Sequence, residues 1–254
     1  MNLKNKNVVD YLLQLGDDRL ILGHRLSEWC GHAPILEEDI ALANIAQDCL
    51  GQATFFLNAA AEEIGNGKTT DDLAYLRNPN QFKNLLIMEL PKGDFAFTIF
   101  RQFLVDNYTF LLYQQLQNSK HNQIANIAQK SLKEVKYHLR HSSEWVLRLG
   151  DGTEISHEKS QNALNELWAY TNELFNENEI EKKLAEENIA IESFKLKNEW
   201  LDKVTQHLKT ATLKILENKE ENIFNGRSGK HTEHLDHLLS EMQIVVRAYP
   251  GAKW

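Results

Sequence analysis

Proline and glycine are scarce in this chain: four prolines and twelve glycines in 254 residues. Both interrupt helices, proline by removing a hydrogen bond and glycine through its backbone freedom, so their scarcity leaves room for long helices. Cysteine is scarcer still. Cys30 and Cys49 form neither a CxxC pair nor a zinc spacing, which removes a disulfide framework from consideration and favours a reduced, cytoplasmic setting. Basic residues are outnumbered, with 28 Lys and Arg against 36 Asp and Glu and a formal net charge of −8. That balance argues against nonspecific nucleic-acid binding, which depends on cations neutralising phosphates. A membrane-length apolar run is also missing. The most apolar window, Phe95 to Leu104, is interrupted by Arg101 and falls short of the ~20 residues a span needs. The first ten residues, MNLKNKNVVD, lack the apolar core of a signal peptide. A cytoplasmic protein with neither membrane nor nucleic acid as partner is expected.

What is present is 42% hydrophobic and 25% charged residues, the balance of a globular protein long enough for a sizeable core. Hydrophobic spacings of three and four predict long helices over Val8–Trp29, Glu37–Ile64, Asp94–Gln117 and His121–Leu149. Gly31 and Pro34 stop the first, and Gly65-Asn66-Gly67 stops the second. The stretch from Thr70 to Met88 is less regular, with a break at Asn78-Pro79. Further helices are expected at Glu158–Phe175, Phe194–Leu216 and Lys230–Ala248, with a polar loop between Glu217 and Gly229. No alternating β-branched run and no internal repeat occur. The predicted fold is all-α, a four-helix bundle with additional C-terminal helices, in a single domain spanning residues 1–254.

One-sided stripes are expected on all four main helices. Leu15, Leu22, Leu26 and Trp29 share a face of the first, and Ile45, Cys49, Gln52 and Phe56 a face of the second. The third offers Ile99, Phe103, Asp106, Phe110 and Tyr113. The fourth offers Ile124, Ala128, Ser131, Val135, His138, Ser142, Trp145 and Leu149. Asp106 and His138 are ionisable groups within otherwise apolar or small stripes. Since an unpaired buried charge costs several kcal/mol, the two are expected to satisfy one another, with Gln52 close by.

Oxygen-activating diiron bundles take a carboxylate from each of two helices and Glu-x-x-His from each of the other two, because residues three apart reach one metal pair. Here the second helix has Cys49 and Gln52 at that spacing, and the fourth has Val135 and His138. The inward residue of the first helix is Leu22, and Asp106 is the one carboxylate in place. One carboxylate and one imidazole do not hold two irons, so these six positions describe a degenerate site, with no catalytic or metal residue expected in the chain. Glu134 stands four residues from His138, off the required spacing.

Three segments give a specific resemblance: GHRLSEWCGHAPILEEDIALANIAQDCLGQA, KEVKYHLR and the tail HTEHLDHLLSEMQIVVRAYPGAKW. Together they resemble the C-subunit family of the bacterial phenylacetyl-CoA epoxidases, over essentially the whole chain and including Trp254. The resemblance implies a ferritin-like structural partner of a homologous catalytic A subunit, which holds the diiron centre and binds phenylacetyl-CoA. Ligand runs of the A subunit have the forms DEAGH and EESFH. Against them DCLGQ places Cys49 and Gln52, and EVKYH places Val135 and His138. The implied complex makes the ring-1,2-epoxide using diiron, O2 and NADPH, the electrons coming through a separate flavin/iron–sulfur reductase. A small bridging subunit is a further implied partner. Cofactors are expected in the complex and none in this chain. Ala59–Ala61, beyond the inward stripe, are expected to offer part of the docking surface.

Other constellations carry less. His231, His234 and His237 diverge around a helix, since steps of three fall ~60° short of a turn; a surface or subunit-interface role is expected before a metal site, and the resemblance favours an ordered contact or packing role. Gly67-Lys68-Thr69 mimics the end of a phosphate loop, but its first glycine would be Glu62 and no strand precedes it. Cys49 in an apolar stripe reads as inert filling before nucleophile, and Trp29, Trp145 and Trp168 as anchors. Two rival readings remain: an autonomous metal-binding ferritin-like oxidoreductase using Asp106 and His138, and a structural homo-oligomer with no oxygenase partner.

Overall fold

A computed structural model describes residues 3–216 and 226–252. Most of the polar segment expected as a loop between Glu217 and Gly229, and the terminal Trp254, lie outside the described residues. Within them the chain is all-α and ferritin-like, without a strand. The ten helices are α1 (Leu3–Ser27), α2 (Leu36–Ile64), α3 (Thr70–Tyr75), α4 (Leu86–Glu89), α5 (Phe95–Leu116), α6 (Asn122–Gly150), α7 (Glu154–Trp168), α8 (Glu179–Glu186), α9 (Lys197–Thr210) and α10 (Glu233–Ala248). The bundle consists of α1 packed along α2 and α5 packed along α6, with α2 and α6 also in contact.

Capping explains most boundaries. Asp94 accepts from the Phe97 amide at 2.9 Å and so starts α5, and Thr69 and Asp72 form a capping box on α3, satisfying amides that a helix start leaves without partners. Three acidic residues open α2, where the positive end of the helix dipole favours them. Asp39 among them also accepts from the Gly31 amide at 2.9 Å, pinning the preceding corner. Gly65 closes α2 in the left-handed region, at φ 64°, which costs glycine nothing.

Three expectations differ from the structure. The predicted helix to Leu216 stops at Thr210, because Thr212 turns into the left-handed region. The helix expected from Glu158 begins at Glu154, capped by Thr153, and passes into a 3-10 turn over Ala169–Phe175. Helix α8 was not expected. Its signal was the pair Asn178 and Glu181: Asn178 caps the helix through the Ile180 amide, with an acidic residue three positions later.

The stripes of α1 and α5 need correction, whereas α2 and α6 keep one-sided ones. Every residue from Tyr11 to Gly23 of α1 is buried, and α5 is buried all round from Ala96 to Thr109. The cause is the C-terminal half, where α7 and α9 pack on α5 and Trp200 donates its indole N–H to the Leu104 carbonyl at 3.0 Å. On α6 the stripe runs from Ser142 to Val146 and Gly150, leaving Trp145 and Leu149 half-buried. Trp29 and Trp145 both pack edge-on to Phe95, at 5.9 and 5.0 Å between ring centroids, and Trp168 lies 5.7 Å from Trp200. Helices α1 and α2 approach closely at Gly16 and Gly23, where an added Cβ would meet the Leu57 and Leu50 side chains at 2.9 and 3.0 Å.

Buried carboxylates hold the irregular connection between α3 and α5. Asp17 forms a bidentate pair with Arg77 and accepts from the Lys83 amide; Asp18 does the same with Arg227 and the Leu85 amide. Glu173 accepts from the amides of Leu86 and Gly226. Glu89 takes Asn84, the Thr232 amide and hydroxyl, and His231. His231 therefore has an internal packing role. Its Nδ1 donates to Glu89 at 2.7 Å and its Nε2 to the Phe82 carbonyl at 3.0 Å, which requires both ring protons.

Burial works against the His231 charge, but the Glu89 hydrogen bond and charge outweigh it and hold the pKa above the ordinary histidine value. A raised folded pKa means that this contribution is complete below the unfolded value of about 6.5 and is lost as pH rises through the folded one. Unfolding followed by circular dichroism should therefore give a stability that falls as pH rises above about 6.5, by up to the ~1.5–3 kcal/mol of a charge-assisted hydrogen bond. In His231→Gln the fall should be smaller; an equal fall would remove His231 as its source.

Candidate functional site

The bundle centre is built from four helices, each contributing a buried residue at an expected position. Leu22, Cys49, Gln52, Asp106, Val135 and His138 are all at most 1% exposed, so the helix phases read from sequence place all six inside. The contacts among them differ from expectation. Asp106 and His138 do not bond each other. Asp106 Oδ2 accepts from the Ser142 hydroxyl at 2.9 Å, whereas His138 Nε2 donates to Asp48 Oδ2 at 2.9 Å. The reason is rotational: Ser142, one turn beyond His138 on α6, faces α5, while the imidazole turns toward α2. Gln52 does not join either residue. Its amide nitrogen donates to Glu134 at 2.9 Å and its oxygen accepts from the Tyr113 hydroxyl at 3.4 Å.

These contacts belong to a larger seam. From one end of α6 to the other, His141 meets Glu38 at 2.8 Å, His138 meets Asp48, and Glu134 meets Gln52. Lys130 lies 4.1 Å over the Phe55 ring, Gln123 bonds Glu62 at 2.5 Å, and His121 meets Glu63 at 3.3 Å. The α2 partner number rises as the α6 number falls, the signature of an antiparallel ladder of polar rungs. Residues mostly one turn apart on each helix supply its central rungs, so the face that could reach a metal is spent on cross-helix contacts.

The electrostatics of the centre follow from burial. Burial pushes the Cys49 thiol up to about 12, with Arg19 the main opposing influence; at neutral pH it is a protonated, inert thiol. Burial also raises the Asp106 carboxyl, opposed by His138, the Ser142 hydrogen bond and Arg19. Tyr113 is likewise raised by burial. Arg19 is itself completely buried. Burial works against its charge, but Tyr113, Cys49, Asp18 and Asp106 more than offset this and leave its pKa raised.

Sequence reasoning missed Arg19, Asp48 and the Glu38–His141 rung. Arg19 had a signal: Asp17-Asp18-Arg19 is a charged triplet inside an otherwise apolar helix, and a charged group there must be paired. Asp48 sits beside Cys49 at a position that carries no metal ligand, so a search by ligand spacing passes over it. Glu134 was weighed only by its distance along the chain from His138. Ala59–Ala61 are also corrected. They are buried within the chain, where α1 and α3 pack on α2, and offer no surface to a partner.

The two thiols should separate in a labelling experiment. Cys30 is exposed and Cys49 buried, so a disulfide-exchange reagent should titrate one thiol per native chain and the second only on unfolding. Rapid reaction of both would show that the α2 stripe opens.

Two comparisons bear on identity. The family model described as Phenylacetic acid catabolic protein matches residues 1–254. The C subunit of 1,2-phenylacetyl-CoA epoxidase from Escherichia coli (strain K12) is 47% identical over 244 residues, covering 96% of this chain and 98% of its own. No described helix is long and apolar enough to cross a membrane. The ferritin-like bundle and the match over its full length give one conclusion: the chain belongs to the phenylacetic acid catabolic protein family.

Proposed function

We propose that this chain is the noncatalytic structural subunit of a multicomponent diiron monooxygenase, one that epoxidises the ring of phenylacetyl-CoA in phenylacetate degradation. It docks on a homologous catalytic subunit and stabilises that subunit's bundle. The relative's name supports the reaction. The observation that carries the noncatalytic role is the donor set at the bundle centre. A diiron pair needs carboxylates from two helices and Glu-x-x-His from two more. Leu22 and Val135 offer no donor atom, and Cys49 is a protonated thiol. Gln52 is occupied by Glu134 and Tyr113, and His138 gives its Nε2 proton to Asp48. These residues do not fit a diiron centre, and no step of oxygen chemistry is assigned to them. Diiron, O2 and electrons relayed from NADPH by a separate flavin/iron–sulfur reductase belong to the complex, as does a small bridging subunit.

Docking needs an apolar face that this chain leaves open. Along one side of α2, Leu36 is 72% exposed, Ile40 55% and Phe55 40%, and Tyr137 of α6 adds 42%. Large side chains aligned on one helix face mark an interaction surface better than scattered ones do. The α2–α6 ladder lies directly beside this face and fixes the two helices that present it.

Co-expression with the candidate catalytic subunit, followed by native mass spectrometry, should give a hetero-complex. Ile40→Lys combined with Leu36→Lys should weaken that complex at least ~10-fold, since burying an unpaired ammonium is unfavourable, while leaving the thermal midpoint of the isolated chain unchanged. Absence of any hetero-complex, or stoichiometric iron in the isolated chain, would overturn the reading.

A further inference from the structure

Asp17, Asp18 and Arg19 are consecutive, and all three are buried. The two aspartates are already spoken for: Asp17 by Arg77 and Asp18 by Arg227, each bidentate. Arg19 is left without either. Its Nη2 donates to the Thr109 hydroxyl at 3.1 Å, and its Nη1 is buried with no hydrogen-bond partner among the described residues. Thr109 lies three residues, nearly one turn, beyond Asp106 on α5, and Arg19 three residues before Leu22 on α1. The guanidinium is therefore seated within about a turn of the level of Leu22 and Asp106.

Asp106 is the complementary case. Ser142 satisfies Oδ2, whereas Oδ1 is buried without a partner. The remaining buried carboxylates have been claimed: Glu38 by His141, Glu89 by His231 and Thr232, Glu173 by backbone amides, and Glu181 by Ser193. His138 acts on Asp106 only through space: its Nε2 is turned to Asp48 and its Nδ1 is left without a hydrogen-bond partner. Arg19 thus lacks a carboxylate and Asp106 a hydrogen-bonded cation, and the two occupy neighbouring turns of the same core; Arg101, the other buried guanidinium without a carboxylate, is turned to the Leu90 and Pro91 carbonyls.

We propose that Arg19 is a fixed internal cation of this bundle, positioned to neutralise Asp106 where a metal-bearing bundle of this type uses bound metal. The inference rests on the metal-free reading given above. Guanidinium suits the task because it does not lose its proton in a protein and tolerates burial better than an ammonium. A bundle neutralised in this way keeps its charge balance through a covalent group, whatever the supply of iron. Arg19 acts as a positioning residue, through Asp106 and the closed packing of α1 against α5.

A double-mutant cycle on the full chain tests it. Arg19→Met should lower the folding equilibrium constant ~100-fold or more, the order expected when one partner of a buried pair is removed. In the Asp106→Asn background the same substitution should cost less than about 10-fold, because no carboxylate is left exposed to the loss. Arg19→Lys, which keeps the charge, should recover a large part of the stability. Additive effects of the two substitutions, to within a factor of about 3, would overturn the proposal. If Arg19→Met does not fold, the Arg19→Met/Asp106→Asn double variant decides: a folded double variant supports the pairing and an unfolded one overturns it. Iron analysis of the same wild-type sample tests the metal-free reading separately, since bound iron would sink that reading whatever the cycle gives.

Discussion

The fold depends on a run of three charges buried in the middle of α1. Three adjacent ionised side chains cannot face one way on a helix, so Asp17, Asp18 and Arg19 radiate toward three regions. Asp17 holds the exit of α3 through Arg77. Asp18 holds the returning C-terminal segment through Arg227, and Arg19 reaches across to α5. Each charge would be prohibitive in a low-dielectric core by itself, and each is matched or hydrogen-bonded. The irregular stretch between α3 and α5, with little helix of its own, is ordered because its amides end on these same carboxylates. A helix buried all round is usually apolar all round; α1 departs from that rule because it is the hub to which later parts of the chain are tied.

Much of the architecture was legible because it rests on local physics. Periodicity and the Gly and Pro breaks located the four long helices to within a few residues, and the six central positions fell inside because helical phase is a rigid property of the chain. What sequence could not deliver was direction across the gap between helices. Asp106 and His138 are correctly on inner faces, yet whether an imidazole turns to α5 or α2 depends on the neighbour's rotation, and Asp48 and Ser142 decided it. On α5 the stripe understated the pattern: Phe97, Phe100, Leu104 and Leu111 lie opposite it, and α7 and α9 cover that side. The alanines of α2 misled for the same reason: small residues permit close approach without saying which helix approaches, and here the chain's own did.

Seam and face on α2 are two uses of one helix. Its inner side is locked to α6 by the ladder of His141, His138, Glu134 and Lys130 against Glu38, Asp48, Gln52 and Phe55. Its outer side exposes Leu36 and Ile40, with Phe55 at the edge between the two sides. A docking surface on a single amphipathic helix would bend under load, and cross-linking it by hydrogen bonds to a second helix makes it stiff. On the proposed reading, polar groups at the would-be ligand positions have a mechanical duty in place of a chemical one.

The ion pair between Asp18 and Arg227 has a temporal side. The two residues lie 209 apart in sequence. During synthesis at ~5–20 residues per second, Asp18 is made about 10–40 s before Arg227 exists. Through that interval Asp18 has no guanidinium to meet, and the core of the hairpin that α1 forms with α2 must stay open to water on one side. The N-terminal half therefore cannot complete its own interior. A chain interrupted before residue 227 would hold an unmatched carboxylate where the finished protein is driest, a built-in distinction between complete and truncated copies.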